Sequence, residues 1–169
     1  MRKALKDLVI LSFLSLGALL YPLGSLAQSD VSVSINANII SSIDLITIQS
    51  IQLSKEEAQD NIITIDPTTS INAGKMIAIG TPNSDITISF LERRELTRNQ
   101  GTESLIFNYA VAGNDQDDQS SAQILDQENR DFSFNDEGRF YLWIGGSIDI
   151  STATPGNYSG DFTLEIEYI

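Results

Sequence analysis

The sequence contains no cysteine and no histidine, and its 169 residues carry ten Lys and Arg against 23 Asp and Glu. The two absences exclude a Ser-His-Asp triad, a thiol nucleophile, a disulfide framework, and zinc or haem sites of the usual ligand types. The shortage of positive charge excludes more. A net charge of −13 argues against nucleic acid, because neutralising phosphates needs clustered Lys and Arg, and against adsorption on anionic lipid. Long apolar runs are also scarce. The longest is Leu8–Leu20, 13 residues, short of the roughly 20 needed to cross a bilayer as a helix.

That run has a targeting context. Arg2, Lys3 and Lys6 precede it, and Pro22 and Gly24 lead into Ser25-Leu26-Ala27, a small-x-small cleavage signature. The expectation is a signal peptide over residues 1–27, export to the periplasm, cell surface or extracellular space, and one domain over residues 28–169 with no membrane span after cleavage. Without Cys at the cut, a lipid anchor is excluded. The mature chain would carry 7 basic and 22 acidic residues, a net −15.

From Val31 onward the apolar period is two rather than 3.6, and Ile, Val, Thr, Phe and Tyr dominate. Val31, Val33, Ile35, Ala37 and Ile39 alternate with polar residues, as do Ile86, Ile88 and Phe90, then Leu105, Phe107, Tyr109 and Val111. Tyr158, Phe162, Leu164, Ile166 and Tyr168 form a last apolar face. Weaker strand candidates are Ile43–Leu53, Ile62–Ile65 and Lys75–Ile79. Asp66-Pro67, Asn72-Ala73-Gly74, Thr81-Pro82-Asn83, Asn135–Gly138 and Thr154–Asn157 supply turns between them. The capping-box spacing of Ser54 and Glu57 predicts one helical turn ending near Asp60. The pattern predicts an all-β, immunoglobulin-like or Greek-key sandwich of eight or nine strands, with a closed barrel as the alternative. Gly145-Gly146, inside the candidate strand Arg139–Ile150, predicts a bend, a bulge or a close backbone approach.

Phe140–Ile150 and Thr154–Tyr168, with their Gly-Gly strand, small-residue turn and Gly-x-Tyr-x-Gly-x-Phe alternation, resemble the bacterial domain-of-unknown-function family 4402 (DUF4402). That family has no established activity, so the resemblance implies none. The same end of the chain is similar to chaperone–usher fimbrial subunits and spore-coat-U-like domains. Gly156 is fourteenth from the C-terminus and Tyr168 penultimate. This similarity implies a terminal strand, Gly156 through Tyr158, Phe162, Leu164, Ile166 and Tyr168, that a periplasmic chaperone reads by strand addition. It also implies a donor strand at Val31, Val33, Ile35 and Ala37 for identical or related subunits. An alternating N-terminal strand is more often paired within its own sheet, and the chain lacks the cysteine pair of many pilins.

Candidate ligand sites are few. Asp115, Asp117 and Asp126 fall at positions 1, 3 and 12 of an EF-hand count, with Asp118 beside them. Position 6 is Ser120 rather than Gly, so a charged hairpin loop is the main expectation and calcium the lesser. Tyr141 and Trp143, two apart on one strand face, would suit a sugar-stacking platform, although strand aromatics usually pack. Glu92–Glu95 with Arg98 reads as a hairpin tip. Acid pairs such as Glu56/Glu57, Asp136/Glu137 and Glu165/Glu167 do not suggest an acid and a base across a cleft. No phosphate loop or nucleophile elbow is present. The expectation is a non-catalytic, cofactor-free structural subunit of a bacterial surface, fimbria-like, with an extracellular glycan- or calcium-binding module as the alternative.

Overall fold

The computed structural model describes residues 30–32, 34, 35, 43–54, 58–126 and 130–169. The expected signal peptide lies outside these residues, as do Val33, Ala37, Ile39, Glu56 and Glu57. The described chain is all β. In order the strands are β1 Asp30–Ser32, β2 Ser34–Ile35, β3 Asp44–Gln49, β4 Gln52–Ser54, β5 Ile62–Ile65, β6 Gly74–Ile79, β7 Asp85–Phe90 and β8 Arg93–Arg98. They continue with β9 Ser104–Asn114, β10 Gln123–Ile124, β11 Asp131–Ser133, β12 Arg139–Asp149, β13 Tyr158–Ser159, β14 Asp161–Phe162 and β15 Leu164–Tyr168. A single 3-10 turn covers Gln119–Ser121.

A large sheet runs β3-β6-β12-β9-β8-β13-β1-β4, with β5 on the far half of β12 and β10 on the far half of β9. A three-stranded sheet, β11-β7-β15, faces it, giving the sandwich that the period-two pattern predicts. β9 and β12, 11 residues each, are its axis. Their inward residues Phe107, Val111, Leu142, Ile144 and Ile148 meet Ile86, Ile88, Leu164 and Ile166 of the smaller sheet in one buried cluster. Fully burying such a side chain contributes roughly 1.5–3 kcal/mol. With no disulfide present, that apolar core and strand pairing carry the fold.

The strands outnumber the eight or nine expected because several runs break at corners. Residues 85–98 and 158–168 pair antiparallel along their length, but Tyr158 opposite Arg98 gives way to Leu164 opposite Phe90, a two-residue slip. At that slip both runs leave the large sheet for the small one, the usual device for turning a sandwich corner. Glu92–Glu95 is therefore no hairpin tip: Arg93–Arg98 is a strand paired along β9. The helical turn expected over 54–60 is also replaced. Ser54 ends β4, and Gln59 and Ile62 exchange backbone hydrogen bonds across Asp60 and Asn61 at φ 52° and 64°. Asp and Asn tolerate that left-handed geometry, and two such residues make the tight turn that hairpins favour.

Gly145-Gly146 marks the point where β12 changes partner, from β6 over Arg139–Ile144 to β5 over Gly146–Asp149. A side chain at Gly145 would strike the Ile65 carbonyl, and one at Gly146 the Asn108 carbonyl. Of the expectations for this pair, close backbone approach is the one realised.

Candidate strand-docking site

The C-terminal run is the part of the molecule where expected residues converge. Tyr158, Phe162 and Leu164 are almost wholly buried and Ile166 nearly so. Phe162 is the middle of an aromatic chain, 6.1 Å from Phe90 and 4.6 Å from Tyr109, whose ring is in turn 4.5 Å from Phe107. The Tyr158 hydroxyl donates to the Thr154 carbonyl at 2.9 Å, closing the turn that precedes its own strand. The Tyr168 hydroxyl accepts from the Thr81 amide at 2.8 Å and packs beside Phe134. Gly156 lies in the turn before β13 at φ +156°, where the Arg98 side chain crosses it and donates to the Pro155 carbonyl at 2.8 Å.

Against this run lies the N-terminal segment, paired within its own chain. Val31 is the parallel partner of Tyr158, and Ser34 and Ile35 are the parallel partners of Asp161 and Phe162. The other edge of β1 pairs antiparallel with β4, Asp30–Ser32 against Ser54–Gln52. The offset between the two segments is the same at Val31, Ser34 and Ile35, so β1 and β2 follow the C-terminal run in one register. The seat is made of backbone pairing and apolar neighbours. Its chemistry is recognition of an extended strand, which needs no titratable group.

Beside the seat, sequence reading missed one feature. Tyr109 shares the inward parity of Leu105, Phe107 and Val111, so its burial was legible, but its hydroxyl is buried without a hydrogen-bond partner among the described residues. Burial pushes its pKa up to about 12, from 10.0, with Asp161 adding to the rise and Arg94 opposing it. A group whose pKa is raised by folding leaves stability intact below its unfolded value and removes it as pH climbs toward the folded one. Stability should therefore fall between pH 10 and 12 as the unfolded chain releases this proton and the folded chain retains it. Tyr109→Phe should flatten that slope and, by deleting an unsatisfied buried hydroxyl, hold or raise neutral-pH stability by about 1 kcal/mol. Urea unfolding at pH 7 and above pH 10 checks both; a variant markedly weaker at neutral pH with the alkaline slope unchanged contradicts them.

The other expected site residues do not converge. Tyr141 and Trp143 are buried, at 7% and 3% exposure, rather than forming an open platform. They stack at 6.3 Å on the outer face of the large sheet, opposite in parity to Leu142 and Ile144. Lys75 sits 5.7 Å over both rings and pairs with Asp117 at 2.5 Å. Gln119, from the loop that carries Asp117, reaches the Pro67 and Ser70 carbonyls at 2.9 Å each. The acidic loop is thus fastened at both places to elements beside the rings.

The four calcium candidates are each engaged separately. Asp117 is held by Lys75, the Asp115 carbonyl accepts from Asn135, and the Asp126 carbonyl accepts from Arg130. Asp118 caps the 3-10 turn, accepting from the Ser120 amide and hydroxyl and from the Ser121 hydroxyl, which hold its pKa below the usual carboxylate value. Among the described residues no three acids come together as a metal site would require. No described helix is long and apolar enough to cross a membrane.

The match to known families falls on this same region. The model of the family described as domain of unknown function DUF4402 matches residues 58–168. The chain belongs to the DUF4402 family. No curated protein matches it. In this DUF4402 chain the matched stretch begins just before the Gln59–Ile62 turn and takes in both axial strands and the whole C-terminal run. It leaves out β1 to β4, and with them the segment that occupies the seat.

Proposed function

We propose that this protein is an exported, non-catalytic structural subunit of a bacterial cell surface, fimbria-like, whose β-sandwich accepts an extended strand beside its C-terminal run. The observation that carries the reading is the seating of Asp30–Ile35 parallel to Tyr158–Phe162. A segment held by a few backbone pairs at one end of the chain is the kind that a neighbouring subunit or a periplasmic chaperone can replace with a strand of its own. The leader-like residues 1–27 and the acidic composition agree with an exported, soluble domain. The absence of His and Cys agrees with a role in recognition rather than catalysis.

A labelled peptide matching residues 29–40 tests the proposal. Added to the purified protein, it is expected to bind in place of the resident segment, shown by increased hydrogen exchange of Asp30–Ile35, and concentrated protein is expected to form open chains that excess peptide shortens. A monomer that takes up no peptide and keeps that segment protected would sink the idea. The alternative, a glycan or calcium module, has less support, since the aromatic pair is covered and the acids are dispersed.

A further inference from the structure

We propose that β3 is a self-association edge, at which two copies of this chain join their large sheets antiparallel about a two-fold axis at Ile46. β3 ends the large sheet, so one side of its backbone has no strand partner among the described residues. Free edges usually carry a Lys or Pro that discourages pairing, whereas Asp44–Gln49 has neither. It shows solvent two large apolar side chains instead, Ile46 at 45% and Ile48 at 55% exposure.

The occupant follows from pattern and charge. Ile46 faces outward, opposite Ile77, which is opposite Tyr141, while Leu45 is opposite Ala78 in the core. Pairing β3 with itself at Ile46 keeps outward residues against outward ones and sets Leu45 against Thr47 of the second copy. A one-residue slip would mix the faces. The result is an unbroken outer row of Tyr141, Ile77 and Ile46 from one copy, followed by the same three in reverse from the other. The irregularity between Thr47 and Gln49 confines the pairing to the strand's first five residues.

Most of a chain with net charge −13 repels a copy of itself. This edge does not. Its charges are the Lys75–Asp117 and Arg139–Glu137 ion pairs and one further acid, Asp44. In the two-fold arrangement each Asp44 lies opposite Ile48 of the other copy, next to Gln49, which is itself paired with Lys75. The two Asp44 carboxylates then stand about 14 Å apart along the strands, beyond the ~8 Å screening length at physiological salt. Each acid of one copy thus faces a cation-bearing row of the other.

Sedimentation velocity on the purified protein tests the proposal, with Trp143 emission and circular dichroism as checks on folding. The wild type is expected to pass from monomer to a closed dimer as concentration rises. Ile46→Lys should weaken the dimer on the order of a hundredfold, because two isoleucines lose their cover and two ammonium groups meet on the axis. Ile71→Lys, at a position 87% exposed and off this row, should change nothing. If Ile46→Lys disturbs Trp143 emission, Ile48→Lys takes its place with the same expectation. A wild type that stays monomeric, a dimer that withstands the β3 substitution in folded protein, or an assembly that dissolves with the 29–40 peptide but not with that substitution would each overturn the proposal. The last outcome would be strand exchange at the C-terminal seat, so the two readings fail separately.

Discussion

Gly146→Ala is expected to cost more than about 3 kcal/mol, enough to remove much of the stability of a domain this size. Gly146 has φ +145°, a backbone conformation that L side chains rarely adopt. Its added methyl would overlap the Asn108 carbonyl and approach Phe107 Cε1 to 2.6 Å and the Asn108 carbonyl carbon to 3.0 Å. Asn108 belongs to β9 and is held in the ladder by Ser147 of β12 and Arg93 of β8. Backbone fixed from two sides has no rotamer by which to retreat. Relief requires separating the two axial strands, which loosens the core along both. Gly160→Ala is the comparison: its tightest neighbour is the Leu96 Cδ2 methyl at 2.6 Å, the far end of a side chain, so about 1 kcal/mol is expected. Urea midpoints of the two variants read the difference. Equal, small losses would mean that the axial strands tolerate the separation.

The same glycine shows what could be read from the residues and what could not. Inside an alternating strand, Gly-Gly signals that some backbone comes close, and it does; which backbone depends on β5 and β9 reaching that point from 80 and 37 positions away along the chain. The sandwich itself was legible because strand faces need only local parity, and the inward sets of β9 and β15 are those the alternation predicts. Parity also separated Tyr141 and Trp143 from the core side of β12. It could not show that residues 115–121 close over that outer face, because a loop has no periodicity and Lys75 and Asp117 meet across 42 positions. The acid run looked like a ligand loop for the same reason: spacing shows which oxygens are close in sequence, whereas Lys75, Ser120 and Ser121 decide where the carboxylates point. Ser54-to-Glu57 spacing predicted a helix because a capping box is also local. There the paired strands β5 and β12 win, and Asp60-Asn61 is recruited as the turn that lets β5 begin.

Phe162→Ala should be the other severe change, and it separates a core role from a docking role. Phe162 is fully buried between Phe90 and Tyr109, and truncating a buried phenylalanine costs about 3–5 kcal/mol, through lost transfer energy and the cavity left behind. Phe132→Ala, at a half-buried ring 5.1 Å from Phe140, should cost roughly half of that. Phe162 is also the backbone partner of Ile35, and β14 is narrow, only two residues between the corner at Gly160 and the start of β15. Loss of the ring lets that short piece move. Opening therefore reaches β2 before it reaches the β9–β12 ladder, since local openings spread from the segments with fewest pairings. Hydrogen exchange of the variant under native conditions should show Asp30–Ile35 losing protection far more than Phe107–Val111. If both segments lose protection together, Phe162 supports the core alone. A loss concentrated in Asp30–Ile35 makes it the side chain that holds the N-terminal strand in its seat, and the first position at which an incoming strand has to compete.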